Sequence, residues 1–90
     1  MEIYNQQPSE ILDYDVDFTD WLALGDSVES TVVSSKPTGL IIGITADTTD
    51  IPKIWVSGGI DKVRYTISTV ATTTQGRSKE VNFQIKIKDV

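Results

Sequence analysis

Ninety residues make one small domain. A chain this short buries roughly 60–65% of its unfolded surface, enough for one thin core but not for an enclosed reaction chamber as well. It has neither cysteine nor histidine, which excludes a disulfide framework, thiolate metal sites and the usual base for serine chemistry, and a net charge of −5 argues against nucleic acid as a partner.

Valine, isoleucine and threonine supply 31 of the 90 residues, against four leucines and three alanines. Branching at Cβ suits extended strands, so the expected class is all-β. Met1-Glu2-Ile3-Tyr4-Asn5-Gln6 lacks the basic flank and apolar run of a signal peptide, and no apolar stretch approaches the ~20 residues needed to span a bilayer. The expectation is a soluble product of the cytoplasm with no membrane partner. Residues 1–50 carry ten acids and one base, and residues 51–90 carry three acids and seven bases. Either the two halves face each other within the fold, or the folded unit has unlike ends and associates with itself or a partner.

In chain order, residues 1–12 are polar, contain Pro8 and show no steady period, so they read as an extended N-terminal arm or a flexible end, an arm that if ordered would lie on a neighbouring subunit rather than on its own core. Residues 13–90 then form the domain. Asp13 to Phe18 alternates cleanly, with Tyr14, Val16 and Phe18 inward. Thr19 or Asp20 is placed to cap a single helical turn, with Trp21 and Leu22 folding back as a plug. Gly25-Asp26 turns the chain into a second strand, Ser27 to Ser35, with Val28 and Val32 on one face. Lys36-Pro37-Thr38-Gly39 breaks it, and Leu40, Ile42 and Ile44 mark a third strand. Asp47 to Asp50 is a loop. Ile51 to Ser57 is a fourth strand with Pro52 at its entry, and Trp55 is ambiguous because Ile54 and Val56 claim the opposite face.

Gly58 and Gly59 supply positive-φ positions for a tight connection. The clearest pattern follows: Val63 to Thr72 and Val81 to Lys88 alternate around a loop centred on Gln75-Gly76-Arg77, which describes a long antiparallel hairpin with one apolar face. Turn signals every eight to twelve residues are the spacing of a β-sandwich, here of about seven strands. Tyr65 stands either as an ordinary core aromatic or as the corner tyrosine of immunoglobulin-type sandwiches, whose hydroxyl bonds back to upstream backbone.

No constellation carries chemistry. Asp13, Asp15 and Asp17 resemble the opening of a calcium loop, but Phe18 and Leu24 occupy the positions that need glycine and glutamate. Asp20, Asp26, Asp47 and Asp50 could gather calcium at one end of a sandwich, but read first as solvated strand faces and turn formers. No acid sits within an apolar run, and Ser57-Gly58-Gly59 lacks the rest of a phosphate cradle. We therefore expect no enzymatic activity, no catalytic or metal-binding residue and no cofactor. Arg77, Lys79, Lys86 and Lys88 gather on the final hairpin, either guarding it against unwanted edge pairing or docking an acidic surface. With Tyr4, Gln6 and Gln7 of the arm they are the candidate partner contacts. Trp21, Trp55, Gly58, Gly59, Tyr65 and Gly76 are the candidate structural positions, with both tryptophans assigned to the core.

Residues 15–22 (Asp-Val-Asp-Phe-Thr-Asp-Trp-Leu), Gly25-Asp26-Ser27, residues 55–59 (Trp-Val-Ser-Gly-Gly), Tyr65 and residues 71–77 (Ala-Thr-Thr-Thr-Gln-Gly-Arg) are together similar to small immunoglobulin-like proteins of tailed bacteriophages and prophages. The resemblance runs over about residues 13–88. It implies a non-enzymatic structural component of the virion, decorating or cementing the capsid through the major capsid protein or other virion proteins. The alternatives are a neck or tail accessory protein, or a module for host-surface glycans that stacks an exposed Trp21 or Trp55 on sugar rings.

Overall fold

In the computed structural model, which describes residues 2–45 and 49–89, seven strands form two sheets. They are β1 (Ile3–Gln6), β2 (Ile11–Asp15), β3 (Val28–Lys36), β4 (Leu40–Thr45), β5 (Lys53–Gly58), β6 (Arg64–Thr73) and β7 (Ser78–Ile87). One sheet has the order β1-β7-β6-β3 and the other β2-β5-β4. The chain is an immunoglobulin-like β-sandwich, elongated to 45 × 21 × 19 Å. Among the described residues no helix is long and apolar enough to cross a membrane.

The final hairpin is the spine. β6 and β7 pair antiparallel from Arg64↔Lys86 to Thr72↔Ser78. Their alternation buries Tyr65, Ile67, Thr69, Ala71 and Thr73 on one strand and Phe83, Ile85 and Ile87 on the other. β7 begins earlier than the apolar pattern suggests because the turn is short. Thr73 binds Arg77 through both backbone and hydroxyl, and Gly76 holds φ +85. Ile54 and Val56 of β5 close over this face, with Val16, Phe18 and Val28 completing the core.

Three expectations change. Residues 3–6 are not an arm: β1 lies parallel to β7 from Ile3↔Gln84 to Gln6↔Ile87, and Ile11-Leu12 begin β2. The apolar period fails there because the innermost residue of β1 is a glutamine. Gln6 is buried, its Nε2 donating to the Val56 carbonyl at 2.8 Å and the Glu10 carbonyl at 3.0 Å, while its Oε1 accepts from the Tyr14 hydroxyl at 2.8 Å. These bonds replace those Gln6 loses to water, which makes burial tolerable.

The second change is the side-chain parity of β3. A register shift between Val28 and Ser30 inserts one residue, so Val28 and Thr31 point inward and Val32 emerges 67% exposed. The third is the plug. No helix forms after Phe18. Asp17, rather than Thr19 or Asp20, caps the turn, its carboxylate accepting from the Thr19 N–H and hydroxyl at 2.8 and 2.6 Å. Trp21 and Leu22 donate their N–H groups to the Phe18 carbonyl and pack against the core.

Glycine is required at position 59, where φ is +98 and a Cβ would lie 2.7 Å from Ile87 Cγ1 and 2.9 Å from Leu40 Cδ2. At this end of the sandwich Tyr65 is fully buried and its hydroxyl accepts the Ile60 N–H at 3.0 Å, a bond back to upstream backbone of the corner type. Asp47 and Thr48 of the predicted loop lie outside the described residues.

Candidate interaction surface

A sandwich of this size does its work on its outside. The two sheets present outer faces of different chemistry.

On the three-stranded sheet, β5 is central, and its outward residues Lys53, Trp55 and Ser57 stand between outward residues of β2 and β4. The register sets Ile11 and Ile41 on either side of Ser57, and Asp13 and Gly43 on either side of Trp55. Ile11 is 69% exposed and Ile41 71%. Single exposed aliphatics are ordinary, but here two of them stand either side of Ser57, one outward row along β5 from the exposed Trp55, and mark an apolar patch on one rigid sheet. Trp55 is therefore not a core residue. Ile54 and Val56 take the inward positions, and strand alternation forces Trp55 out. With no side chain at Gly43, the indole reaches diagonally across β4, and its Nε1 donates to the Thr45 hydroxyl at 2.9 Å. That bond orients the ring in advance of any contact.

A charged row borders the patch. Lys53 bridges Asp13 at 2.7 Å and Asp15 at 3.0 Å. The hydrogen bond from Lys53 holds the Asp13 carboxyl below the usual aspartate range, and the same bonds raise the Lys53 ammonium. The acidic first half and basic second half of the chain thus meet across β2 and β5. This pair is exposed and adds little stability, but it fixes the charge pattern at the rim.

On the four-stranded sheet, the outward residues form rows across the strands: Ser34, Ser68 and Asn82 in one, Ser30, Thr72 and Ser78 in another. Val32, Val70 and, on β1, Ile3 are the apolar exceptions, and Arg64 and Lys86 sit directly opposite each other at one end. The face is polar, small and mostly uncharged.

The predicted basic cluster does not assemble. Lys79 and Lys86 lie seven residues apart on one strand, about 24 Å at ~3.4 Å per residue. Arg77 is occupied at the turn, its guanidinium 4.7 Å from the centre of the Trp21 ring, a cation–π arrangement that secures the plug. Lys88 donates its backbone N–H to the Gln6 carbonyl beyond the end of β7.

Of the predicted contacts in the first residues, Gln6 is interior. Gln7 is half-buried, its N–H bound to the Glu10 carboxylate at 2.7 Å. Tyr4 is at the surface, packed on Tyr14 and Phe83 with centroids 5.1 and 5.9 Å away, its hydroxyl bonded to Glu2. That hydrogen bond raises the Tyr4 phenol, whereas Tyr14 is raised chiefly by burial. At the far end Asp26 ties two loops together, its Oδ1 accepting from Ser27, Thr74 and Gln75. Among the described residues no group of acids is arranged to hold a metal ion.

Sequence reasoning missed Ile11 and Ile41. The signal was the run Leu40-Ile41-Ile42, which breaks alternation by placing an apolar residue on both faces of one strand.

Comparison with known proteins gives three findings. The PKD domain from KIAA 1837 protein, solved in solution, superposes with a TM-score of 0.52 at 5% identity, over 99% of this chain and 82% of that one, a likeness of fold alone. A search of curated proteins found no match. A family model described as podophage GP4 fiber-tail adaptor protein gp77 matches residues 6–86, nearly the whole chain. The chain, an immunoglobulin-like sandwich, belongs to that gp77 family and is a structural protein of a phage virion that binds other virion proteins.

Proposed function

We propose that this chain is a non-enzymatic adaptor that attaches a fiber to the tail of a podophage, using the outer face of its three-stranded sheet as a docking surface. The family match over residues 6–86 carries the reading of tail over capsid, so the expected decoration of a capsid and contact with the major capsid protein give way to the tail alternative. The docking face follows from Ile11, Ile41 and the pre-oriented Trp55, which together resemble the aromatic-centred clusters that dominate binding energy at protein interfaces. Self-association through the same face is compatible with an adaptor present in several copies.

The direct test is genetic. Virions made without this chain should carry complete tails and lack fibers. Fibers still attached to such particles would end the reading. Exposure of Trp55 also meets the geometric requirement of the glycan-stacking alternative. Binding of purified protein to a glycan array, abolished by Trp55→Ala, would favour that alternative instead.

A further inference from the structure

The three-stranded sheet ends at β4, which has β5 on one side and, among the described residues, no strand on the other. The Val16 N–H to the Pro52 carbonyl and the Phe18 N–H to the Asp50 carbonyl continue the β2–β5 ladder. Even-numbered residues of β5 therefore turn their backbone groups toward β2, and odd-numbered ones toward β4. Ile41, Gly43 and Thr45 of β4 answer the odd-numbered ones. The N–H and C=O groups of Leu40, Ile42 and Ile44 thus aim away from the sheet, with no backbone partner among the described residues.

A free edge invites another strand, and folded proteins guard such edges with charge, proline, bulges or brevity. Here β2 carries Asp13 and Asp15, β3 carries Glu29, Lys36 and its register shift, and β1 has only four residues. β4 has none of these guards. It holds no charge and no proline, and it pairs with β5 without a bulge. It also shows apolar surface on both sides, since Ile41 points outward and the inward Ile44 is still 36% exposed.

We propose that β4 pairs antiparallel with β4 of a second copy of this chain about a two-fold axis, Ile42 opposite Ile42, joining two three-stranded sheets into one of six strands. In that register the strand is its own complement. Backbone bonds run between the two Ile42 residues and between Leu40 and Ile44, which uses every group left free. Leu40 of one copy covers the half-exposed Ile44 of the other. Ile41 faces Gly43 in a close, non-hydrogen-bonded pair, and its side chain fills the space that Gly43 leaves beside Trp55. A slip of two residues either way sets Gly43 against a glycine, Gly39 or Gly43 itself, and loses that fit. An uncharged strand also suits copies that each carry a net charge of −5. Because a two-fold contact closes on itself, the edge is consumed in a dimer rather than an open filament. The contact runs along the sheet edge and leaves the two Trp55 faces open on one side of the joined sheet. It goes beyond fiber attachment and does not rest on it.

The chain has no cysteine, so introduced thiols report the register without background. Ile41→Cys and Gly43→Cys, both at exposed positions, are mixed and mildly oxidised. The mixture should cross-link to a dimer at least tenfold more than either variant alone, because only 41 opposite 43 meets disulfide geometry. Sedimentation of the unaltered chain should show a concentration-dependent dimer. Ile44→Pro removes an N–H that faces away from β5, so it should weaken that dimer at least tenfold while amide shifts in β6 and β7 stay in place. Should Ile44→Pro unfold, the cross-linking decides alone. A chain that stays monomeric at its highest soluble concentration, equal cross-linking in all three samples, or a dimer indifferent to a folded Ile44→Pro would overturn the proposal. None of these outcomes bears on whether virions made without the chain carry fibers.

Discussion

The outer faces of the two sheets close over the same core yet are built for different neighbours. The four-stranded face is mainly serine, threonine, asparagine and glutamine in register, broken by Ile3, Val32 and Val70 and by a few charges, a surface that water satisfies better. The three-stranded face places Ile11 and Ile41 either side of Ser57 and Trp55 one row along, leaving apolar surface that water does not satisfy. We attribute that difference to contact with a partner rather than to stability.

The largest effect expected from this contrast is on association. Trp55→Ala should weaken binding to the partner by about 2 kcal/mol or more, roughly thirtyfold in Kd, while the urea midpoint moves little. Calorimetry with the purified partner and urea denaturation read the two quantities separately. Equal losses in both would mean that the indole serves the fold.

The next two changes probe the interior that both faces share. Gln6→Ala strands the Val56 and Glu10 carbonyls and the Tyr14 hydroxyl, and should cost about 1–3 kcal/mol in urea unfolding. Thr69 is fully buried and its hydroxyl has no hydrogen-bond partner among the described residues. Thr69→Val keeps the shape and removes that oxygen, so it should stabilise the chain by about 1 kcal/mol. A loss instead would show that the hydroxyl is bonded.

The hairpin was legible because β6 and β7 alternate without interruption, and position 65 was legible because an aromatic there has only inward space. The first twelve residues were not. In β1 the inward positions hold Tyr4 and Gln6 and the outward ones Ile3 and Asn5, so hydrophobicity misreports which side is in. β3 failed for a different reason, since the shift near Glu29 reverses parity without any proline or glycine to announce it. The docking face was hidden because Ile54-Trp55-Val56 puts apolar residues on both faces of β5, as Leu40-Ile41-Ile42 does on β4, so the local pattern does not say which face is buried.

Smaller effects test the wet face and the charged rim. Ser68→Lys should change stability by no more than about 0.5 kcal/mol and leave partner affinity unchanged. A comparable loss of binding there would erase the difference between the faces. On acidification, Asp13 is held down by its bond from Lys53, and Asp17 by bonds from Thr19. At Asp26 burial pushes the carboxyl up, but bonds from Thr73, Thr74 and the backbone outweigh it. Each folded carboxyl titrates below its unfolded value, so the unfolded chain takes up protons first. The stability these groups add is present above about pH 4 and is lost as pH falls through the folded values. Thermal melts from neutral to strongly acidic buffer should show a level Tm that drops only below that point, with a shallower drop in Asp13→Asn.

Radical footprinting of the chain in intact virions, against the free protein, tests the central assignment most directly. Protection of Ile11, Ile41 and Trp55 with continued labelling of Val32 and Val70 is the expected pattern. Labelling of Trp55 as strong in the particle as in solution, with Val32 and Val70 shielded instead, would place the contact on the other sheet and contradict the account.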